Sequence, residues 1–188
     1  MSDNTEKVNV KSEAWEWIKA LVIALALVFL IRWLLFSPFL VSGQSMEPNF
    51  YDGERLIVNK ILYDFRDPKR GEVIVFLAPD GRDYIKRVIG VPGDRVKVEG
   101  DTVYVNGQPI DEPYLKEAIE AAKARGVDYN NTNKEETVVQ PGTLFVMGDN
   151  RSHSSDSRSN AVGLVPYDKI VGRAEVVFWP LSHIKLAR

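Results

Sequence analysis

The chain has 188 residues and a formal net charge of −2 at pH 7, and 45% of its residues are hydrophobic while 27% are charged. This composition predicts a folded core, and the absence of a basic cluster argues against a nucleic-acid partner. Because cysteine is absent, the sequence excludes thiol catalysis and disulfides. His153 and His183 are the two histidines, which argues against a metal site built from several histidines. We expect no bound metal or cofactor.

An apolar segment lies near the N-terminus. Residues 1–16 are polar with mixed charge and predict a short tail, whereas residues 17–36, WIKALVIALALVFLIRWLLF, are almost entirely apolar. A helix of about 20 residues spans about 30 Å, the thickness of a bilayer core. A cleavable signal peptide would end in small residues, but residues 37–41, SPFLV, contain no A-x-A pattern. We therefore predict an uncleaved transmembrane signal anchor.

Basic residues are distributed unevenly about this segment. Lys7 and Lys11 precede it, Lys19 lies at its start, and no lysine or arginine follows it until Arg55. The positive-inside rule then predicts a single-pass protein of the cell membrane with a cytoplasmic N-terminus and residues 37–188 outside the cytoplasm.

The rest of the chain has the pattern of a β-rich domain. Short runs rich in branched residues alternate with Gly, Pro and Asp, which predicts strands. These runs are residues 56–61, 72–77, 83–89, 95–98, 102–105, 143–147 and 170–179. Asn106-Gly107 indicates a type I′ hairpin turn. The predicted fold is mainly β, with antiparallel strands.

One helical segment interrupts the predicted strands. Residues 113–125 begin with proline and are followed by Gly126, as is typical of a helix. An apolar stripe at helical spacing runs through them, formed by Leu115, Ile119 and Ala122. Residues 128–136 are polar and predict a surface loop. We therefore treat residues 113–136 as a helix and loop insert.

The stretch after the apolar segment places Ser45 between a glycine, Gly43, and a proline, Pro48. A serine in this setting is most often only a turn residue. It becomes a nucleophile when a neighbouring base takes its proton. The candidate bases are the two histidines, a carboxylate and an unprotonated lysine.

Lys86 is the lysine of most interest. It lies in the predicted strand 83–89, where alternation places one of the adjacent cations Lys86 and Arg87 on each face. Periodicity alone favours an edge-strand lysine that points to water. If Lys86 is instead buried, its pKa falls; lowering it from about 10.4 to about 7 requires about 4 kcal/mol, within reach of burial.

A third polar segment follows the predicted strand 143–147. Residues 148–158, GDNRSHSSDSR, are dense in small hydrogen-bonding side chains and are compatible with a solvated loop. They also permit a triad of Ser45, His153 and an aspartate, because the order of triad residues along a chain is free.

Together these three segments resemble the ordered motifs of bacterial type I signal peptidases. Their order, their spacing and the single N-terminal apolar segment are all similar to that family, and the resemblance covers the chain from this segment onward, apart from the insert. The matching residues are Ser45-Met46 with Pro48, Tyr84-Ile85-Lys86-Arg87 with Gly90 and Pro92-Gly93-Asp94, and Gly148-Asp149-Asn150-Arg151 with Ser154-Ser155-Asp156-Ser157-Arg158.

The resemblance implies a role for each matched residue. Ser45 would be the nucleophile and Lys86 the general base of a Ser–Lys dyad, with no catalytic histidine. Ser154 would hydrogen-bond the Lys86 amine and orient it, and Met46 would pack near the site. The loop around them would be held by the ion pair of Asp156 and Arg158, together with Asp149 and Arg151.

Gly43 and Gln44 would belong to the strand that lines the substrate site. Part of the family carries a serine two positions before the nucleophile, whose hydroxyl helps to bind the oxyanion; here that position is Gly43. Ser42 would point to the other side of an extended chain. A backbone N–H or a water would then have to replace the missing donor, whose loss typically costs about 10²–10³ in rate.

The implied activity is cleavage of signal peptides from exported preproteins after small residues, through an acyl-enzyme. The implied partners are those signal peptides and the lipid bilayer, on which an apolar surface including Phe39 and Leu40 would rest, and the enzyme would be monomeric. Two alternatives remain open. One is a peptidase of the same clan with a single dedicated substrate, and the other is a membrane-anchored β module that binds proteins without catalysis.

Overall fold

The computed structural model describes the backbone of residues 10–187, and the side chains of residues 14–30 and 37–187. The chain divides into two units, Met1–Phe36 and Ser37–Arg188. The predicted tail at 1–9 lies outside the described residues.

Within the first unit, the described residues form the helix α1, Val10–Leu35. This helix begins within the segment predicted to be a polar tail, because residues 10–16, VKSEAWE, include several good helix formers that extend it. Among the residues that the structure describes, no helix is both long and apolar enough to cross a membrane. The predicted anchor therefore stays a prediction.

The second unit is built mainly from β-strands. The strands are β1 Phe36–Leu40, β2 Arg55–Asn59, β3 Val73–Leu77, β4 Asp83–Gly90, β5 Arg95–Glu99, β6 Thr102–Val105, β7 Gln108–Pro109, β8 Lys134–Val138, β9 Thr143–Met147, β10 Val165–Pro166, β11 Ile170–Trp179 and β12 Lys185–Leu186. Two short α-helices are present, α2 Leu62–Phe65 and α3 Lys116–Ala124. Single 3₁₀ turns occupy Pro113–Leu115, Tyr167–Lys169 and Leu181–His183. The predicted mainly β class is confirmed.

The strands form two sheets. The larger has the order β1-β2-β11-β3-β4-β9-β10, with β12 paired to β11, and the smaller has the order β7-β6-β5-β8. Every strand pair whose register falls in the described residues is antiparallel. Because β3 and β4 lie inside the larger sheet, apolar side chains pack on both faces of β3, with Val73 and Val75 in one core cluster and Ile74 and Phe76 in another.

All seven predicted strands are present, and the Asn106-Gly107 turn has positive φ at both residues, 54° and 76°, as a type I′ turn requires. The insert is helical where predicted, with Leu115 and Ala122 buried. The predicted surface loop is wrong over its last residues, because β8 pairs with β5 there. The sequence KEETV in β8 carries no apolar alternation, since β8 is an exposed edge strand that pairs with β5 through its backbone and through the exposed ion pair of Glu136 with Arg95.

Candidate active site

Ser45 lies in the loop between β1 and β2, which is folded back on itself. The Val41 N–H donates to Glu54 O at 2.8 Å, and the Gly53 N–H donates to Val41 O at 3.0 Å. Gly43 has φ of 89°, in the positive-φ region that glycine enters more readily than other residues do. Its N–H donates to Asp52 Oδ1 at 2.8 Å. The prediction of an extended strand at Gly43 and Gln44 is therefore corrected: the chain turns at Gly43.

The Ser45 backbone is held by Asn150 and by the burial of the neighbouring Met46. The Asn150 N–H donates to Ser45 O at 3.0 Å, and Asn150 Nδ2 donates to Gln44 O at 3.1 Å. Met46 is fully buried in the core cluster beneath the loop, beside Phe50. These contacts fix the position of the Ser45 hydroxyl without using that hydroxyl.

Lys86 lies on β4, which is flanked by β3 and β9. An edge-strand lysine facing water is therefore excluded; Lys86 is 3% exposed and its neighbour Arg87 is 1% exposed, so both adjacent cations are buried. The Lys86 Nζ lies 2.7 Å from Ser45 Oγ and 2.8 Å from Ile85 O. The structure thus brings the predicted nucleophile and the predicted base into hydrogen-bond contact.

The surroundings of Lys86 change its proton affinity. Burial lowers the pKa of the Lys86 ammonium from 10.5 to about 8, while the carboxylates of Asp156 and Asp149 partly oppose this and Arg158 assists it. The Tyr84 ring lies 5.2 Å from Nζ. A substantial fraction of Lys86 is therefore neutral near physiological pH, and a neutral amine can accept a proton from a hydroxyl.

The segment 148–158 is a largely buried loop rather than a solvated one, and it joins β9 to β10. Arg158 Nη2 and Nε bind the Asp156 carboxylate at 2.8 and 2.9 Å, with both side chains buried. Asp156 Oδ2 also accepts from the Gly148 N–H at 2.9 Å. The predicted Asp156–Arg158 ion pair is present, and it connects the two ends of the loop.

Asp149 and Arg151 are buried but bind separate partners. Arg87 Nε and Nη2 bind Asp149 at 2.8 and 2.6 Å, and Arg151 Nη1 binds Glu112 Oε2 at 2.9 Å. Sequence reasoning did not identify Arg87 or Glu112 as part of the site. Each is separated from its partner by many residues, and neither carries a local pattern that would reveal the pairing.

The predicted bond between Ser154 and Lys86 is not formed in this structure. The Ser154 Oγ is buried and has no hydrogen-bond partner among the described residues, although it is close enough to Asp156 to help lower the pKa of that carboxyl. His153 is exposed, with Nδ1 lying 3.3 Å from Asn150 Oδ1. It makes no described contact with Ser45, so the geometry gives no support to a Ser–His triad.

A cleft of about 280 Å³ opens over Ser45 and Lys86. Its apolar lining is formed by Phe39, Leu40, Val41, Leu56, Val75 and Ile85. Ser42 also lines it. Ser42 therefore borders the cleft, where it was expected to face the other side of an extended chain. Among the described residues, no group of three or more His, Cys, Asp or Glu side chains could hold a metal ion.

Comparison with known proteins gives consistent matches over most of the chain. A family model described as "Signal peptidase, peptidase S26" matches residues 14–179. Signal peptidase I of Bacillus licheniformis is 42% identical over 184 residues, covering 96% of each chain. Signal peptidase IB of Staphylococcus aureus (strain Mu50) is 40% identical over 183 residues, covering 94% of this chain and 95% of the relative.

Among solved structures, a signal peptidase I from Enterococcus faecalis V583 has 33% identity and a TM-score of 0.47, covering 57% of this chain and 97% of that one. The family match and the two relatives, which are at least 40% identical over nearly the whole chain, agree on one assignment. The chain belongs to the signal peptidase family, peptidase S26.

Proposed function

We propose that the protein cleaves signal peptides from exported preproteins, with Ser45 as nucleophile and Lys86 as general base. The observation that carries this proposal is the 2.7 Å contact between Lys86 Nζ and Ser45 Oγ, made by a lysine that is 3% exposed. A buried lysine with a lowered pKa beside a serine hydroxyl is a known way to activate a weak nucleophile.

The proposed reaction has two halves. Neutral Lys86 accepts the Ser45 proton as Oγ attacks the scissile carbonyl, and the resulting ammonium then protonates the leaving amine. The acyl-enzyme is hydrolysed by a water that gives its proton to the same lysine, and the lysine passes this proton to Ser45 Oγ as the ester bond breaks. Asp156 and Asp149 favour the charged form of Lys86, so they stabilise the ammonium that forms transiently.

The cleft also supports the proposed preference for small residues at the A-x-A positions. Its wall beside Ser45 and Lys86 contains Leu56, Val75 and Ile85, which make this part of the cleft apolar. An apolar pocket of limited size discriminates by fit, with a missing or extra methylene changing the rate by about 10- to 200-fold.

We propose further that residues 17–36 anchor the enzyme in the membrane as a single-pass monomer, with residues 1–16 in the cytoplasm and 37–188 outside. Support comes from the apolar sequence and from α1, whose described large apolar side chains, such as Leu21 and Phe29, are exposed. A protease added to protoplasts or spheroplasts, in which the cytoplasmic membrane is intact but the outer layers are removed, should digest the domain 37–188. Full protection of that domain would contradict this topology.

The experiment that tests the proposed function is cleavage of a preprotein in detergent by the full-length chain. Ser45→Ala should abolish cleavage, and a serine-directed acylating probe should label Ser45 in the wild-type protein. Ser182→Ala, an exposed serine far along the chain, is the matched control. Cleavage by Ser45→Ala would refute the proposal, and a wild-type protein that neither cleaves nor labels would favour the non-catalytic binding module.

A panel of unrelated preproteins separates a general enzyme from a peptidase with one dedicated substrate. We expect cleavage of several preproteins that share the A-x-A pattern. Cleavage of a single member of the panel would favour the dedicated alternative.

The rate should depend on pH through Lys86. Because the pKa of Lys86 is lowered to about 8, kcat/KM should rise about tenfold per pH unit below this value and level off above it. His153→Ala should leave this profile unchanged, since His153 is exposed and outside the site. A rise of rate with pH that disappears in His153→Ala would instead assign the base to histidine.

A further inference from the structure

Residues 112–133 connect β7 to β8 and are here called the brace; they contain the 3₁₀ turn, α3 and the loop that follows. The brace begins with a buried ion pair to the loop 148–158. Glu112 is 9% exposed and binds Arg151, whose Nη1 lies 2.9 Å from Glu112 Oε2, and the Tyr114 hydroxyl also donates to Glu112. A solvated surface insert would not bury a carboxylate in this way.

The far end of the brace holds the same loop at three more points. Tyr129 OH donates to Asp149 O at 2.8 Å, and Ser152 Oγ donates to Tyr129 O at 2.9 Å. The buried Asn130 accepts from Arg158 Nη1 at 2.5 Å through Oδ1. The brace thus contacts the loop near its beginning, middle and end.

The brace also reaches the loop that carries Ser45. Asn49 Nδ2 lies 3.1 Å from Tyr114 O and 2.8 Å from Asp149 Oδ2. The Tyr129 hydroxyl, which donates to Asp149 O, lies 3.5 Å from Glu47 O, two residues after Ser45. The brace is therefore in contact with both loops that meet at the cleft.

A short path links the ion pair to the nucleophile. Arg151 Nε donates to Gly148 O at 3.1 Å, and Gly148 packs so tightly against Ser45 that a Cβ added to Gly148 would lie 2.4 Å from Ser45 O. A displacement of Gly148 is consequently transmitted to the Ser45 backbone. A misplacement of about 1 Å in a catalytic group can cost about 10² in rate.

We propose that the brace aligns Ser45 with Lys86, and that Glu112, acting through Arg151, and Tyr129 are positioning residues for the reaction. This inference rests on the proposed Ser–Lys mechanism. It assigns to the insert a role in kcat rather than in substrate binding, because the brace lies outside the cleft lining.

Two variants of the full-length enzyme test the inference through steady-state cleavage of a preprotein in detergent. Glu112→Gln should lower kcat by about 10²-fold, and Tyr129→Phe, which removes a single hydroxyl, should lower it by roughly 3- to 10-fold, both with KM within twofold of wild type. The matched controls are Glu175→Gln and Tyr63→Phe, whose partners Arg173 and Glu72 lie outside the cleft lining. These controls should keep the wild-type kcat.

A double substitution tests whether Glu112 acts through Arg151. In an Arg151→Met background, Glu112→Gln should lower kcat by less than twofold, because the path to Gly148 is already broken; a full additional loss would contradict the path.

If Glu112→Gln does not fold, Tyr129→Phe still decides. Wild-type kcat in folded Tyr129→Phe, or a fall equal to that in Tyr63→Phe, overturns the inference. Inactive Ser45→Ala beside these results would leave the Ser–Lys mechanism intact, whereas active Ser45→Ala would overturn the mechanism itself.

Discussion

Replacing Lys86 by methionine should lower the rate of preprotein cleavage by about 10²- to 10⁴-fold, the range typical of a lost general base. Methionine keeps most of the volume and removes the amine that lies 2.7 Å from Ser45 Oγ. Lys97→Met, at a half-exposed lysine on the smaller sheet, is the control and should keep wild-type activity. Activity of Lys86→Met within tenfold of wild type would assign the base to another group.

The same substitution should make the protein more stable at pH 7. The folded pKa of Lys86 is lowered from 10.5 to about 8, so below pH 8 the fold is penalised for holding a buried ammonium. The difference corresponds to about 3 kcal/mol at most, and it fades as pH rises from about 8 towards 10.5. Denaturant unfolding of both proteins should show the gap at pH 7 and its loss near pH 10.5. A gap that is independent of pH would contradict the lowered pKa.

Gly148→Ala should reduce kcat by roughly 10²-fold or more. The added Cβ would lie 2.2 Å from Ser154 Oγ and 2.4 Å from Ser45 O, so the two segments must separate. Separation would move Ser45 away from Lys86, because Lys86 lies on β4 within the sheet and cannot follow.

Gly172→Ala provides a control with the same degree of crowding. Its Cβ would lie 2.3 Å from Asn59 O, in the pairing of β11 with β2. Neither Gly172 nor Asn59 lines the cleft, although Val75, the partner of Gly172 on β3, does. Both alanine variants should lose stability, by about 1–3 kcal/mol from overpacking. Per folded molecule, Gly172→Ala should keep its kcat while Gly148→Ala loses it. Equal losses of kcat would show that crowding anywhere in the fold is enough.

The sequence predicted the strands well because most of them carry a strong local signal. Runs of branched residues bounded by Gly, Pro and Asp predicted seven strands, and all seven are present. The turn predicted at Asn106-Gly107 is also present. The strands β1, β7, β8, β10 and β12 were missed. Three of these, β7, β10 and β12, are two residues long, β1 directly follows α1, and KEETV in β8 lies on an exposed edge and shows no apolar alternation. An apolar sequence pattern indicates strands that bury side chains, and β8 has no buried side chain.

The burial of Lys86 could not be predicted from periodicity. It follows from strand order, because β9, which covers one edge of β4, lies more than 50 residues later in the chain. Glu112 and Arg151 are 39 residues apart, and Arg87 and Asp149 are 62 apart. Only the assembled fold brings these partners together. The pairing of Ser45 with Lys86 could be predicted before the fold was known because the family resemblance implied it.

The turn at Gly43 shows a different limit. Glycine adopts both extended and left-handed backbone conformations at little cost, so the sequence did not distinguish a substrate strand from a turn. The hydrogen bond from the Gly43 N–H to Asp52 stabilises the turn, and Ser42, the residue before it, borders the cleft. The acceptor of this bond lies nine positions along the chain, beyond the reach of any local pattern.

The central claim is that Lys86 acts as a neutral base beside Ser45, and its pKa is the most direct measurement of it. Titration of the lysine side-chain Cε and Nζ resonances by NMR, with Lys86→Met used to assign the signal, would report that pKa in the full-length protein. We predict a midpoint of about 8. A midpoint near the ordinary lysine value of 10.5 would contradict the account, because Lys86 would then be almost fully protonated at physiological pH and unable to accept the Ser45 proton.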